Sequence, residues 1–341
     1  MLWVSLFLFL WPVVLFWARW PHNIPLPLWC FGGGVLFSAW SQPWWQEVGG
    51  VFGLLAMVHA LWNVPWITNG KHVKPLALSF VLQVFTVWLV SLLGYFWLAP
   101  EASTPLISLA RATYVGGTPV MAIASESGNL DPNIFTYMYL ADIAASAVYL
   151  PVMWWLARQW REPSFVSDDS RWGKVPAGRF WMGIGLVFTL CTGSVWLLYG
   201  RFDPLAMVIS HLVAALLLKL AIPDLRKSQS NDRPAEYGFG ILFFSLGGSL
   251  DFSTLTAMPL GVWAFAFTVL FGGSLLHWLL CKTLGIHRAA WAAVSMGNNM
   301  SPPFVPSLLR LMGREDLIHM STALSGLGFA VGLALALWTL A

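Results

Sequence analysis

Three ionisable residues lie inside long apolar runs, where a charge costs roughly 2.5 kcal/mol or more and needs a partner or a task. Glu126 follows Ser125 and precedes Ser127 and Asn129. A carboxylate among hydroxyl and amide oxygens suits a cation or a proton; its structural alternative is a helix end reaching an interface. Asp142 stands eleven positions beyond Asp131, with Ala141, Ala144 and Ala145 around it. Small neighbours let helices approach closely, so this carboxylate is expected to face protein and to carry a coupling ion. Arg111 precedes the first of two Gly/Pro clusters by five residues. It is expected to balance Glu126 or Asp142 or to attract an anion, against the alternative of snorkelling to the interface.

The two clusters interrupt apolar segments. The first is Gly116-Gly117-Thr118-Pro119; the second is Gly297-Asn298-Asn299 followed by Ser301, Pro302 and Pro303. Glycine admits unusual dihedrals, and proline removes a donor and clashes with the preceding turn, so both runs break a helix. Unpaired backbone groups in hydrocarbon cost several kcal/mol, so such breaks persist only inside protein or beside an aqueous cavity. Freed carbonyls can ligate a cation, half-helix N-termini can face an anion, and Asn298 and Asn299 offer both donors and acceptors. Gly116, Gly117, Thr118, Pro119, Ser125, Gly297, Asn298, Asn299 and Ser301 are therefore the expected solute-binding set, and Glu126, Asp142 and Asn129 the ion-coupling set. A kinked packing helix is the alternative for either break alone.

Other chemistry is excluded or weak. His59, His211, His277 and His319 are scattered and read as packing or interface histidines, and Asp251 as a helix end. Cys30, Cys191 and Cys281 have no metal-ligand spacing and read as small buried hydrophobes. No His-Glu-x-x-His, P-loop or Gly-x-Ser-x-Gly signature is present, so no enzyme, metal site, cofactor or ATP-driven pump is expected.

These residues must be positioned by membrane helices. Of 341 residues 58% are hydrophobic and 10% charged. Soluble domains carry roughly 25% charged residues, so the solvent of this chain is lipid. Its 22 Trp, many near segment ends, suit the membrane–water interface. The net charge of +3 is too small to argue for nucleic acid. A span needs roughly 20 apolar residues. Apolar segments fall at about 1–19, 25–40, 48–66, 75–98, 104–129, 131–158, 179–199, 203–222, 236–250, 256–282, 286–312 and 315–340. That predicts an all-α polytopic protein of about twelve spans (11 to 13), multi-pass in the cell inner (plasma) membrane. The first segment has no basic n-region or small-residue cleavage site, so it reads as a retained helix rather than a signal peptide.

The halves line up. Each has a long apolar helix (75–98; 256–282), an interrupted segment (104–129; 286–312) and a final helix opened by acidic residues. Gly116 falls on Gly297 at an offset of about 181. The expected organisation is a first membrane repeat over 1–158, a cytoplasmic loop over 159–178 and a second repeat over 179–341. The polar stretches Arg158–Arg179 and Pro223–Glu236 hold several Lys and Arg and are placed on the cytoplasmic side.

The run from Thr113-Tyr-Val-Gly-Gly-Thr to Ser125-Glu126-Ser, the run Phe243-Phe-Ser-Leu-Gly-Gly-Ser-Leu-Asp251 and the break at Gly297 resemble the YjcL-type bacterial integral membrane proteins. Those in turn resemble the superfamily of cation:proton antiporters and bile-acid:sodium symporters. The resemblance runs from about residue 25 to the end. It implies inverted repeats, a panel and a core domain, two crossing broken helices, elevator motion and a homodimer. Glu126 and Asp142 match where the family tends to keep its acids. At the second break the family's usual Gly-Gly is here Gly297-Asn298-Asn299.

The resulting expectation is a secondary transporter using a Na⁺ or H⁺ gradient to move a small organic solute, with an anion favoured. The alternatives are a monovalent cation:proton antiporter and a membrane-embedded enzyme on a lipid-linked substrate; for the latter no nucleophile–base pair is found. One inconsistency stands. Five segments separate the two interrupted ones, which gives both the same orientation, whereas inverted repeats require opposite ones.

Overall fold

In the computed structural model the described residues are 26–40, 44–45, 48–49, 52, 70–98, 104–163, 177–200, 206, 210, 213–214, 233–248, 258–300, 302 and 304–341. They are helical, with no strand among them. Four helical stretches are long and apolar enough to cross a membrane: His72–Phe96, Asn133–Gln159, Leu260–Thr283 and Glu315–Leu340. The chain forms two compact units, each from two separate stretches: residues 1–63 with 172–253, and residues 64–171 with 254–341. This division cuts across the two halves read from the sequence.

The first unit contains α1 (Leu26–Leu36). In the second, α2 (Gly70–Leu98) is followed by α3 (Thr104–Gly116), α4 (Thr118–Ser127) and α5 (Pro132–Gln159). The chain then returns to the first unit for α6 (Ala177–Tyr199) and α7 (Arg233–Gly248). In that unit α1 packs along α7, and a Cβ on Gly34 would collide with the Phe244 carbonyl oxygen. Its core joins Cys30, Trp45 and Phe244.

The remaining helices belong to the second unit: α8 (Leu260–Phe267), α9 (Gly273–Thr283), α10 (Arg288–Asn299), α11 (Phe304–Met312) and α12 (Ile318–Leu340). A single π turn, Thr268–Gly272, joins α8 to α9. Local chemistry sets the ends. Asp131 caps α5 by accepting the Asn133 N–H at 2.9 Å, with Pro132 at the first helical position. His287 caps α10 by accepting the Ala289 N–H at 3.2 Å.

Contacts fix the course of the chain in this unit. The Glu162 N–H donates to the Met312 carbonyl at 3.0 Å, His287 Nε2 lies 2.9 Å from Glu162, and His72 lies 3.4 Å from Asp316. The start of α2, the end of α5, the start of α10, the end of α11 and the start of α12 therefore share one end. Glu162 also receives Arg314 at 3.4 Å and Arg288 at 3.5 Å, and Arg314 grips Asp316 through two bonds of 2.9 Å. Those bonds hold the Arg314 guanidinium above its ordinary pKa. At the opposite end Gly128 lies against Leu340, and Arg111 Nη1 donates to Thr339 Oγ1 at 2.6 Å.

Both interrupted segments double back. α3 runs antiparallel to α12, pairing Ser108 with Ala336 and Gly116 with Gly328. Gly117, at φ +82°, turns the chain, and α4 returns to the end at which α3 began. α10 leaves the charged end and α11 comes back to it, with Gly297 against Val305. A helix that traverses the bilayer with a mid-span break was expected; each segment is instead a hairpin whose tip reaches mid-depth. The physical reason is the left-handed turn at Gly117 and the packing of the arms on α12 and α5, which fold each segment back; no single arm, at 13, 10, 12 or 9 residues, is long enough to span. α3 is buried from Leu106 to Gly116 and α10 from Ala289 to Asn299, so the irregular backbone is encased in protein.

Candidate functional site

The site forms in the second unit where the two hairpin tips approach α5 and α12. Asp142 is 2% exposed. From its cap at Asp131 it lies eleven residues, about 16 Å, along α5, which is mid-span. Thr118 Oγ1 at the first tip donates to its Oδ2 at 3.1 Å, and Ser146 Oγ to its Oδ1 at 3.4 Å. The Tyr114 hydroxyl faces the same carboxylate. No cationic side chain pairs with Asp142 among the described residues. A buried carboxylate with hydroxyl donors and no fixed counter-charge is equipped to hold a proton or a small cation.

The second tip is pinned by Asn299. Its Oδ1 accepts Gln83 Nε2 at 2.8 Å, and its Nδ2 donates to Ser274 Oγ at 2.9 Å and the Tyr149 hydroxyl at 3.3 Å. Gln83 Nε2 also donates to the Tyr114 carbonyl at 3.4 Å, so one side chain ties both tips. Gln83 Oε1 accepts Ser295 Oγ at 3.3 Å, and Ser295 meets His277 Nδ1 at 3.0 Å. The other His277 nitrogen lies 3.0 Å from Ser79 Oγ. His277 is thus a satisfied packing histidine.

Asn298 differs from its neighbour. It is fully buried, yet neither its Oδ1 nor its Nδ2 has a hydrogen-bond partner among the described residues. An unmade pair of this kind costs about 1–3 kcal/mol per group. Its Oδ1 lies against Gly328 on α12, where an added Cβ would come within 3.0 Å of it and collide with the Val115 carbonyl. A Cβ on Gly332 would meet the Gly116 nitrogen at 2.8 Å. Ser321 Oγ, on the same helix, is also buried without a partner among the described residues.

Of the residues expected from sequence, the structure brings together Gly116, Gly117, Thr118, Asp142, Gly297, Asn298 and Asn299. Ser301 and the Pro119 and Glu126 side chains lie outside the described residues, as do His59, His211, Asp251 and the His319 side chain. The backbone of Glu126 is in the last turn of α4, two residues from the Gly128–Leu340 contact, so it belongs to the hairpin's open end rather than the tip. Ser125 is one turn from that end, and its carbonyl accepts the Leu130 N–H at 3.0 Å. Asn129 is exposed at φ +48° and terminates α4 in a left-handed cap, away from Asp142. Arg111 does not pair with Asp142: its Nε donates to Ser91 at 3.0 Å, its guanidinium lies 5.9 Å from the Trp88 ring, and its Nη2 has no partner among the described residues. No cluster of metal-ligating residues occurs among the described residues. Gln83, Tyr114, Tyr149, Ser274 and Ser295 were not anticipated; Ser79 and Gln83, four apart in an apolar helix, were the available signal.

No protein-family model matches the chain. No curated protein matches it either.

Proposed function

We propose that the chain is a secondary transporter in which Asp142 carries the coupling Na⁺ or H⁺ and Asn298, with the backbone of the two tips, holds a small organic anion. The observation that carries this reading is the placement of a fully buried, unbonded Asn298 amide beside the meeting point of two interrupted segments, with an uncompensated carboxylate at the same tips. Paired irregular segments at mid-depth are where transporters bind. Arg111, five residues before Gly116 along α3, is 4% exposed and without a carboxylate partner among the described residues, so the positive charge it leaves in this unit suits an anionic solute without making Arg111 part of the tips.

The course of the second unit supports inverted repeats. α2 leaves the charged end and α5 returns to it, with their hairpin opening at the opposite end. α8–α9 runs antiparallel to α2, pairing Gly94 with Phe265 and Ser79 with His277, and α12 runs away from the charged end. The second hairpin therefore opens at the charged end. Two hairpins in place of two crossings also remove the orientation conflict met in the sequence. An odd number of crossings must then separate the end of α5 from the start of α8, and three apolar segments lie between them. The two compact units fit a scaffold and a moving body that alternates access as an elevator. With Asp142 nearly inaccessible, the tips are closed, and transport requires one hairpin at a time to part from α12.

Proteoliposomes loaded with candidate organic anions test this. Wild type should show uptake driven by an imposed Na⁺ or H⁺ gradient, and Asp142→Asn should lose the ion dependence. Uptake by Asp142→Asn that still follows the gradient would refute the assignment. Cation-for-proton exchange that needs no solute would establish the antiporter instead.

A further inference from the structure

Away from the tips, the second unit carries a groove of about 260 Å³ between α5 and α9. It extends from Tyr149 and Phe271 at mid-span to Trp160 and Trp278 at the charged end, with Met153 and Trp291 along its walls. Along α5 that is eleven residues, or about 16 Å parallel to the helix axes. The polar atoms of its inner wall are turned into the protein. The Tyr149 hydroxyl accepts from Asn299 and Ser274, and Trp291 Nε1 donates to the Ser274 carbonyl at 3.2 Å. What remains towards the groove is hydrocarbon and ring faces, which suits an alkyl chain and repels a hydrated solute.

The mouth is different. Lys282 Nζ lies 5.1 Å from the centre of the Trp278 ring, and the Arg288 guanidinium 5.9 Å from that of Trp160. Both cations are exposed, and Lys282 makes no ion pair among the described residues. Arg288 reaches Glu162 at 3.5 Å, a carboxylate already shared with His287 and Arg314. The mouth therefore holds more positive charge than its one carboxylate compensates. Tryptophans at this level mark the headgroup layer.

We propose that the groove is a binding site for an anionic phospholipid of the leaflet at the charged end: one acyl chain lies between α5 and α9, and the headgroup phosphate sits on Lys282 and Arg288. The site is independent of the transport reading and requires only that these helices lie in a bilayer. Tyr149 and Ser274 at its inner end also hold Asn299, so an occupied groove braces the second hairpin tip.

The test uses the delipidated full chain in detergent, with lipid binding followed by native mass spectrometry and thermal unfolding. Phosphatidylglycerol should bind and raise Tm more than phosphatidylcholine, while inorganic phosphate and glycerol phosphate should do nothing. Lys282→Gln with Arg288→Gln should weaken phosphatidylglycerol binding by about thirtyfold, at two basic residues near a lipid phosphate, and leave phosphatidylcholine unchanged. Leu275→Trp, at a wall position 56% exposed, should fill the groove and abolish the phosphatidylglycerol shift. Should the double variant not fold, Lys282→Gln alone, which breaks no ion pair, reads the same preference. Equal binding of the two lipids by wild type, a phosphatidylglycerol preference that survives loss of the cations, an unchanged shift in Leu275→Trp, or stabilisation by free phosphate would each overturn the proposal.

Discussion

Adjacent asparagines at the second tip have opposite roles, and substitution separates them. Asn299 makes three hydrogen bonds in a buried site, so Asn299→Ala leaves Gln83, Ser274 and Tyr149 short of partners. The loss should be about 2–4 kcal/mol at roughly 1 kcal/mol or more per stranded group. Asn298→Ala removes an amide that makes none, so Tm should hold or rise while solute uptake is lost. Thermal unfolding alongside proteoliposome flux checks both; a destabilised Asn298→Ala, or one that transports normally, contradicts the assignment. Asp142 and Asn298 were legible in the sequence because a polar group amid apolar residues stands out by its cost. Glu126 is harder to place from sequence, because a straight segment would carry it to depth whereas the reversal at Gly117 carries α4 back to the end at which α3 began. Gln83 was missed for another reason: a neutral amide costs less than a charge, and only the fold shows that it reaches both tips.

The helix that decides the site is α12, because two of its glycines leave room for backbone. Gly328→Ala would drive a methyl into the Val115 carbonyl, and Gly332→Ala into the Gly116 nitrogen at 2.8 Å. Overpacking against backbone should cost about 1–3 kcal/mol for each. Gly185→Ala in α6 meets nothing within 4 Å and should be neutral or stabilising by up to about 1 kcal/mol. Chemical or thermal denaturation of the three variants orders them; Gly332→Ala as stable as Gly185→Ala would mean that α3 and α12 are not in contact. The existence of both breaks was legible, since Gly, Asn and Pro in apolar runs admit few other readings. Their geometry was not. A Gly-Gly pair permits a kink and a reversal alike, and the choice falls to contacts more than 200 positions away, such as Ser108 with Ala336.

At the scale of the molecule, charge sets sidedness. Lys74, Arg158, Arg161, Lys282, Arg288, Arg310 and Arg314 gather at one end of the second unit, against Glu162, Glu315 and Asp316. Basic residues are in excess on cytoplasmic loops, so the expected orientation puts that end on the cytoplasmic side. In a background lacking the three native cysteines, Arg161→Cys and Arg310→Cys should react with an impermeant thiol reagent only from inside. Thr104→Cys and Ser127→Cys should both react only from outside. Labelling of 104 and 127 from opposite faces would restore a traversing helix. The class of protein was readable from composition alone, whereas the grouping of stretches 64–171 and 254–341 into one body was not, because it depends on pairings between distant segments. The hairpins also bear on how the protein is made. No arm of either hairpin is long enough to be handed to the bilayer as an independent span, and the arms carry Arg111, Asn298 and Asn299. The wall against which both tips close, α12, follows both of them in the chain. The contacts that close both tips can therefore form only after α12 has been synthesised.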